Sequence, residues 1–525
     1  MITRPHVVLV RPAALTTVLK PSTVVTPPIG VAYLAGALQA AGARVTVVDA
    51  VGEAPQLVRR LAQMEYRAAL AIGLSVDETV AQVPRDADLI GVSSMFSSSW
   101  PHDRRLIDAL RRRFPTIPIV VGGEHATACW DYVLRTCPSV TACVLGEGED
   151  TLVALWRALA EQQPWKDIAG LALRRGAELH LTPRRARLDD LEAIARPAWS
   201  LLPIEAYLSN RLGHGTSRER TMPLLATRGC PYTCSFCSSP QMWTTRWKAR
   251  EPSALVDEMA DYVAAHDVTN FDLYDLTTIV DRRWTLAFAA ELIARKLGVT
   301  YQLASGSRTE AIDDEVALQL ARSGCTHITF APESGSEEAI ARHRKRVRLA
   351  HMESALRACT QHGITVSLNF ILFPDDTIQD VLATWQFALR CGSAGAADMS
   401  YFPYLPYPGS ALYESLRTAG RLPPLSDAFL AELLDQFDLT RSHSYNARFS
   451  DWVIQSLRLS VVGSFVTASL LNEPRKLTRM VTNLGRGRPA TRLEKNAGDV
   501  ARRLGAVWRS NRGDAGARPG GSARA

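Results

Sequence analysis

The sequence predicts an α/β protein with a doubly wound, Rossmann-like parallel sheet at the N-terminus, a full or partial β/α barrel after it and a helical C-terminal extension. Two observations lead to this prediction. Short β-branched runs alternate with helical patterns over residues 1–160, and the same alternation returns over residues 222–425. Such alternation is typical of parallel sheets covered by helices. From residue 426 to about 510 the patterns are helical.

The N-terminal region, residues 1–160, places candidate binding loops after its strands. The predicted strands are Val7–Val10, Val45–Val48, Leu89–Val92, Ile117–Val121 and Ala142–Leu145. The predicted helices are Gly30–Ala41, Pro55–Glu65 and His102–Arg113. Ligands of doubly wound sheets bind at the carboxyl ends of the strands. The candidate binding residues at those ends are Ser93, Ser94, Gly122, Gly123, Glu124, His125, Gly146, Glu147 and Gly148. The small residues among them allow backbone amides to approach a flat, polar ligand.

The connector, residues 161–221, is punctuated by proline, and we assign no chemistry to it. In the barrel region that follows, predicted strands are Asn270–Leu273, Thr300–Leu303, His327–Phe330 and Thr365–Leu372. Predicted helices are Glu251–His266, Asp313–Ser323 and Leu349–His362. Barrel active sites lie at the carboxyl ends of the strands. Arg308, Glu333 and Ser334 occupy such positions.

A loop of three cysteines, Cys230, Cys234 and Cys237, forms a C-x₃-C-x₂-C pattern directly after a predicted strand. Thiolates select zinc, copper(I) or iron–sulfur clusters. A closed zinc site needs a fourth ligand at short spacing, yet the next candidates are His266 and Cys325. A four-iron cluster with one open iron fits the pattern better than zinc or three unliganded thiols.

Composition sets further limits on the function. The net charge is +7, but residues 473–525 alone carry 13 Lys/Arg and 4 Asp/Glu, so the rest of the chain is close to neutral. We expect helices at Ala428–Phe437 and Trp452–Leu471, a helical extension over 426–510, and a disordered basic tail over 511–525. The basic segment 473–525 as a whole is expected to be solvated and solubilising, with RNA or anionic lipid as alternatives. No transmembrane or export signal is evident, which predicts a cytoplasmic protein with reduced cysteines.

The cysteine motif, with Phe236 before its last cysteine, resembles that of the radical S-adenosylmethionine (SAM) enzymes. The resemblance implies a [4Fe-4S] cluster on the three cysteines, SAM chelated to its open iron, and a 5′-deoxyadenosyl radical after one-electron reduction. It also implies a partial (β/α)6 barrel. In this family the stretch at Glu333 and Ser334 lines the SAM site, where Glu333 suits ribose hydroxyls. Arg308 meets either the SAM carboxylate or an ion-pair partner.

The N-terminal region is similar to the cobalamin-binding domain of one radical SAM subclass. Its landmarks are Pro27–Ala35, Gly42–Asp49, Val121–Thr127 and Leu145–Glu149. The D-x-H-x-x-G motif is absent, which implies that no protein histidine binds cobalt. His125 is then either a contact to the cofactor or a loop histidine with a structural hydrogen bond.

Together the resemblances imply a cobalamin-dependent radical SAM methyltransferase that acts on an unactivated carbon or a phosphinate of a small-molecule biosynthetic intermediate. The alternative is oxidative cyclisation or ring rearrangement with the same cofactors. A methylthiotransferase with a second cluster and a non-catalytic corrinoid sensor are further readings. The expected partners are a small-molecule substrate and an external low-potential electron donor of the flavodoxin or ferredoxin type, without nucleic acid.

Overall fold

The structure of the protein is a computed structural model. It describes residues 4–20, 25–61, 65–176, 178–217, 219–436, 438–487 and 489–516, with side chains to residue 505. An N-terminal sheet domain, a six-stranded barrel domain and C-terminal helices follow one another along the chain.

The N-terminal sheet has a core of five parallel strands. The strands of this region are β1 His6–Arg11, β2 Ala14–Thr16, β3 Arg44–Asp49, β4 Val58–Arg60, β5 Leu70–Ile72, β6 Leu89–Ser93, β7 Ile119–Gly122 and β8 Ala142–Val144. The helices are α1 Ile29–Ala40, α2 Ala50–Glu53, α3 Val76–Gln82, α4 Trp100–Arg113, α5 Glu124–Ala128, α6 Trp130–Thr136 and α7 Glu149–Ala160. The spatial order β3-β1-β6-β7-β8 is parallel throughout. It confirms the doubly wound prediction and puts a topological switch point beside β1.

The helix predicted over Pro55–Glu65 is wrong in the described part of that range. Residues Val58–Arg60 instead form β4, which pairs with β5 in a small antiparallel sheet with β2. The pairing partner lies outside the local window, so tertiary contact overrides the local helical pattern. Residues 62–64 lie outside the described residues.

The sheet also continues into the segment that we assigned to the connector. Strands β9 Leu171–Arg175 and β10 Glu178–Leu181 add to β8 in antiparallel fashion. The sheet thus runs past residue 160, and the domain boundary predicted there stays a prediction. The remainder of the connector contains the short helix α8 Ile204–Ser209, and short 3-10 turns occur at Ser97–Ser99, Trp165–Asp167 and Trp199–Leu201.

The second sheet is the partial barrel. Its strands are β11 Thr221–Leu224, β14 Asn270–Leu273, β15 Thr300–Ser307, β16 Cys325–Glu333, β17 Thr365–Leu372 and β18 Asp398–Pro403. They pair in chain order and in parallel, which confirms the six-unit prediction. A two-stranded ribbon, β12 Thr227–Arg228 and β13 Lys248–Ala249, follows β11. The helices of this region are α9 Ser239–Trp243, α10 Pro252–His266, α11 Arg282–Arg295, α12 Asp314–Arg322, α13 Glu337–Arg342, α14 Leu349–Gln361, α15 Ile378–Ser393 and α16 Ala411–Thr418.

Two barrel strands run further than predicted. β15 and β16 extend to Ser307 and Glu333, and the pairing register shifts just before each of these ends. Such bulges bend a strand and redirect its side chains. The irregularities therefore lie where the candidate SAM-site residues emerge.

The C-terminal extension consists of α17 Asp427–Asp435, α18 Asp451–Asn472, α19 Arg475–Arg486 and α20 Arg492–Gly516. Helix α18 is long and apolar enough to cross a membrane, but it packs on the barrel. Trp385 of α15 donates to Ser464 at 2.6 Å, and Phe465 is fully buried. The disorder that we predicted from residue 511 is corrected for residues 511–516, which continue α20; residues 517–525 lie outside the described residues.

Candidate active site

The cysteine loop is closed by the β12–β13 ribbon, in which Arg228 pairs with Lys248. Gly229 opens the loop with φ of +88°, and a Cβ there would lie 2.1 Å from the carbonyl oxygen of Arg246. Only glycine accepts both this conformation and this contact. The ribbon and Gly229 therefore hold the two ends of the loop together.

The three motif cysteines are free and half-buried. The amide of Cys237 donates to the carbonyl of Cys234 at 3.2 Å, which turns the loop back on itself. Burial raises the pKa of each thiol, so each thiolate requires a cation or metal for its stabilisation. Three soft ligands on one short loop, with no fourth Cys or His among residues 229–247, fit a cluster with one open iron.

A serine–histidine–aspartate chain anchors the loop to the barrel. Ser235 Oγ lies 2.9 Å from His343 Nδ1, and His343 Nε2 lies 3.0 Å from an oxygen of Asp375. The amide of Ser235 also donates to the carbonyl of His343 at 3.0 Å, and Phe373 stacks on the His343 ring at 3.7 Å. Sequence analysis missed this anchor, because Ser235 and His343 are 108 positions apart.

Arg308 is engaged by the protein itself. Its guanidinium donates to Glu310 at 2.7 Å and to the carbonyl of Lys345 at 2.9 Å. It also stacks 3.5 Å from the ring centroid of Tyr232 in the cysteine loop. Of the two roles considered for Arg308, the structure contains the ion pair; contact with the SAM carboxylate stays a prediction.

Glu333 ends β16 with φ of +66°, a conformation that is strained for a non-glycine residue. Its carboxylate accepts a bond of 2.7 Å from Lys345, and both side chains are buried. Burial acts to lower the pKa of Lys345, but Glu333 and Cys234 outweigh it and the pKa is raised. Lys345, which sequence analysis missed, is thus a fixed cation between Glu333 and the cysteine loop. The ribose contact proposed for Glu333 stays a prediction.

Ser334 is fully buried directly after Glu333. Its hydroxyl lies 3.0 Å from the hydroxyl of Thr384 in α15 and accepts a bond of 3.2 Å from the amide of Ser336. Ser334 therefore fixes the course of the loop beyond β16. Any contact between Ser334 and a ligand stays a prediction.

The candidate loops of the N-terminal domain lie against one another. Ser93 pairs with Gly122 across β6 and β7. Ser94 Oγ donates to Asp103 at 2.8 Å. Gly123 has φ of +112°, and a Cβ there would lie 2.4 Å from the carbonyl oxygen of Ser94. The two loops therefore approach more closely than any side chain at residue 123 would permit.

His125 makes the structural hydrogen bond that was one of the two roles considered for it, and its contact with a cofactor stays a prediction. Its Nδ1 lies 3.0 Å from Ser97 Oγ, the ring is 1% exposed, and Trp100 packs at 5.0 Å. Its Nε2 has no hydrogen-bond partner among the described residues. Burial lowers the pKa of His125 to about 3, so the ring is neutral. A buried, unpaired nitrogen fits a polar ligand at the carboxyl ends of the strands.

The same loops meet the cysteine loop across the domain boundary. Glu124 accepts a hydrogen bond from Ser238, the residue after Cys237. A Cβ at Gly146 would lie 3.6 Å from the carbonyl oxygen of Met242 in α9, which is ordinary van der Waals contact, so the loop at Gly146 lies against α9. The carboxyl ends of the two sheets therefore face one another.

Arg228 joins the domains electrostatically. Its guanidinium lies 3.3 Å from Glu147 and 2.7 Å from Glu149, and Arg187 adds a contact of 3.0 Å to Glu147. All four side chains are buried. Glu147 was predicted as a cofactor contact, and its carboxylate here neutralises two guanidinium groups. Gly148 leaves 3.0 Å between a hypothetical Cβ and Leu34, which keeps the turn against α1.

The inner face of the barrel is polar. Along the strands, buried polar residues alternate with apolar residues that pack in the outer core. The polar set is Asn270, Asp272, Gln302, His327, Thr329, Ser367 and Asp398. The apolar set includes Phe271, Leu273, Tyr301, Leu303, Ile328, Phe330, Val366 and Leu368. Closed barrels usually fill their interior with branched apolar side chains, so this lumen is suited to binding rather than to packing.

Helix α20 and the segment 213–217 enter this lumen. The amide of Gly215 donates to Asp272 at 2.8 Å, and Arg492 donates to Asn369 at 2.9 Å. Lys495 donates to the carbonyl of Gly213 at 2.7 Å. A polar cavity remains between these segments and the strands; it is lined by His214, Gly215, Ala304, His327, Arg492, Lys495, Asn496 and Asp499.

Acidification is expected to destabilise the barrel through His327. Burial, helped by Arg492 and Lys495, lowers the pKa of His327 to about 3. The unfolded chain binds a proton below about pH 6.5 that the folded chain does not, so this contribution to stability is complete above pH 6.5 and is lost as the pH falls. Between pH 7 and 5.5 the wild type should lose about 1 kcal/mol more free energy of unfolding than His327→Gln. Urea unfolding at the two pH values tests this; equal losses would contradict it.

Two family descriptions match the chain. Residues 224–388 match the radical SAM superfamily, and residues 72–156 match the B12 binding domain. The first range contains the cysteine loop, Glu333 and Lys345. The second contains the loops at Ser94, His125 and Glu147. The two matched ranges therefore contain the loops that meet at the domain boundary.

Individual relatives span both regions. An uncharacterized methyltransferase of Pyrococcus horikoshii is 24% identical over 398 residues, 74% of this chain and 78% of the relative. The anaerobic magnesium-protoporphyrin IX monomethyl ester cyclase of Rubrivivax gelatinosus is 29% identical over 398 residues, 74% of this chain and 66% of the relative. In fold, the chain is similar to the radical SAM methyltransferase TsrM of Kitasatospora setae, solved with cobalamin and a [4Fe-4S] cluster, with a TM-score of 0.59, 18% identity and 80% of each chain covered.

The residues present fit the cofactors of this family. Cys230, Cys234 and Cys237 offer three free thiols for the [4Fe-4S] cluster, whose open iron binds SAM. The loops around Gly123 and the unpaired nitrogen of His125 offer a site for cobalamin. The chain is an enzyme that combines a B12 binding domain with a radical SAM domain, in that order along the sequence.

Proposed function

We propose that this enzyme transfers a methyl group from the corrinoid to an unactivated carbon, or a phosphinate, of a small-molecule biosynthetic intermediate. The observation that carries the proposal is the contact between the cysteine loop and the carboxyl-end loops of the N-terminal sheet. Glu124 binds Ser238, and Glu147 and Glu149 bind Arg228. This contact supports a common reaction space between the two cofactor sites.

In this space the bound cofactors supply a radical that removes a hydrogen atom and a methyl group that replaces it. The chain contributes position and charge. Ser235, held by His343 and Asp375, fixes the cysteine loop. Lys345 places a buried positive charge beside Cys234, where it offsets the negative charge of a ligated cluster.

The lumen supports a polar small molecule as the substrate. Its inner wall offers buried donors and acceptors, among them His327, whose Nδ1 has no partner among the described residues. Arg492 and Lys495 of the C-terminal helix α20 line this space and limit its depth. We therefore propose that α20 helps to define the substrate pocket and that an external low-potential protein delivers the electron.

Oxidative cyclisation is the second candidate. The cyclase of Rubrivivax gelatinosus favours this reaction, because it is 29% identical to this chain and the Pyrococcus horikoshii methyltransferase is 24% identical. Both reactions need the cluster, SAM and the corrinoid in one gap, so the described geometry serves either. They differ in the fate of the SAM methyl group.

A labelling experiment separates the two candidates. The full chain, purified without oxygen and reconstituted with iron, sulfide and cobalamin, is incubated with methyl-labelled SAM and a low-potential reductant. Mass spectrometry then follows the label in the corrinoid and 5′-deoxyadenosine among the nucleosides. Label in the corrinoid together with 5′-deoxyadenosine is the result expected for methyl transfer. 5′-Deoxyadenosine with an unlabelled corrinoid would favour cyclisation, and failure to retain cobalamin would overturn the proposal.

A further inference from the structure

The C-terminal extension exposes an unusual amount of apolar surface. Of the 17 large apolar side chains that are exposed among the described residues, eight lie between residues 452 and 504. They are Trp452, Leu459, Leu471, Leu477, Val481, Leu484, Leu493 and Leu504. The three most exposed of the 17 belong to this set: Leu471 at 77%, Trp452 at 72% and Val481 at 66%. Apolar patches of this kind on a folded domain indicate an interaction surface.

Helix α19 organises this surface. Leu477, Met480, Val481 and Leu484 follow the spacing i, i+3, i+4 and i+7 and therefore share one face. Arg475, Arg479 and Arg486 lie on the opposite face by the same geometry. Only Lys476 of this helix is buried, where it donates to Ser469 Oγ of α18 at 2.9 Å. The helix is thus attached along one edge, and its apolar face is left uncovered among the described residues.

We propose that α19 and the adjoining exposed face of α18 bind an anionic lipid surface. An amphipathic helix with an apolar face and arginines on the polar face lies in the plane of a bilayer interface. Charge complementarity selects anionic lipid, since α19 carries the exposed Arg475, Arg479 and Arg486 and no acidic residue. Each basic residue near an anionic surface adds attraction.

The same charges argue against other occupants. A second copy of this chain would bring two strongly basic segments together, which is repulsive. An RNA partner would satisfy the arginines and leave Leu477, Val481 and Leu484 exposed to water. A lipid surface satisfies both faces of α19.

In this proposal α18 and α19 lie on the membrane surface, and α18 does not cross the bilayer. The opposite face of α18 packs on the barrel through Ile454, Val461 and Phe465. Arg458 is buried there as well, and its guanidinium donates to the carbonyl of Asp438 at 3.1 Å. These contacts keep α18 in the fold while its exposed face and α19 reach the headgroups.

Vesicle flotation with the full chain tests the proposal. Vesicles of phosphatidylcholine with phosphatidylglycerol are compared with vesicles of phosphatidylcholine alone. The wild type is expected to bind the anionic vesicles and to lose affinity as salt rises. The double variant L477E/V481E should bind at least about tenfold less tightly. Two apolar side chains that are expected to enter the lipid are replaced by carboxylates, which the anionic headgroups repel. Leu318→Glu, an exposed leucine on α12, is the matched control and should bind as the wild type does.

Several outcomes would overturn the proposal. One is no binding to anionic vesicles at low salt. Another is loss of vesicle binding in R475E/R479E with full binding in L477E/V481E, which would indicate that charge alone holds the protein on the vesicles. Displacement of the protein from anionic vesicles by RNA, to the same extent as by added anionic vesicles, would indicate the same. A third is dimerisation of the wild type that L477E/V481E abolishes, seen by light scattering. The substituted residues are exposed, and thermal melting by circular dichroism checks that the variants fold.

Discussion

The variant Cys234→Ala is expected to lose the [4Fe-4S] cluster and, with it, detectable formation of 5′-deoxyadenosine. Cys234 is one of three free thiols on a loop that contains no other cysteine or histidine. With two thiolates left, the loop cannot hold three of the four irons. Iron and sulfide content and the visible absorption of the reconstituted protein measure the loss directly.

Cys359→Ala is the matched control. Cys359 is also free, but it is fully buried in α14 among apolar side chains. Its replacement removes little volume and should leave the iron content unchanged, with a modest loss of stability. A Cys234→Ala protein that retained four irons with wild-type absorption would contradict the assignment of the cluster loop.

The variant Arg228→Met is expected to lower the free energy of unfolding by about 3–5 kcal/mol, because it leaves the buried carboxylate of Glu149 without its partner and Glu147 with Arg187 alone. Arg228 is 6% exposed and lies 2.7 Å from Glu149 and 3.3 Å from Glu147. It also stacks 4.9 Å from the Tyr33 ring in α1. The loss should concentrate at the domain boundary, where hydrogen exchange of residues 145–149 and 227–249 should increase. Urea unfolding and hydrogen exchange measure the two effects.

An exposed ion pair provides the control for Arg228. Arg282 contacts Asp313 at 3.0 Å and also Glu315, but all three side chains are exposed. Arg282→Met should therefore change stability by about 1 kcal/mol or less. Adding Glu149→Gln to Arg228→Met should recover part of the loss by removing one unpaired charge. Equal destabilisation by Arg228→Met and Arg282→Met would contradict the stabilising role of the buried ion pairs between Arg228 and the N-terminal domain.

Local patterns predicted most of the elements and singled out the three motif cysteines, whose role as cluster ligands stays a prediction. Asn270–Leu273 and Thr365–Leu372 were predicted with the boundaries that the structure has, because short β-branched or apolar runs bounded by turns are local signals. The cysteine motif is equally local. The strands and the cysteine motif could be predicted from the sequence because they depend on neighbouring residues and not on distant contacts.

The remainder depends on long-range contacts. β4 forms where a helix was predicted because β5 supplies its pairing partner. Lys345 and His343 gain their roles from Glu333 and Ser235, and Glu147 gains its partner from Arg228, 81 positions away. Helix α20 enters the barrel through Arg492 and Lys495, although its composition predicts a solvated segment. No local pattern contains these partners.

The central claim is that the cluster and the corrinoid face one gap, and electron paramagnetic resonance tests it most directly. The full chain is reconstituted with both cofactors, and the cob(II)alamin signal is recorded with the cluster oxidised and then reduced. Two paramagnets in one gap interact, so the cobalt signal is expected to broaden and relax faster when the cluster is reduced. The same experiment with Cys234→Ala should show no change. A wild-type cobalt signal that is identical in both cluster states would contradict the account.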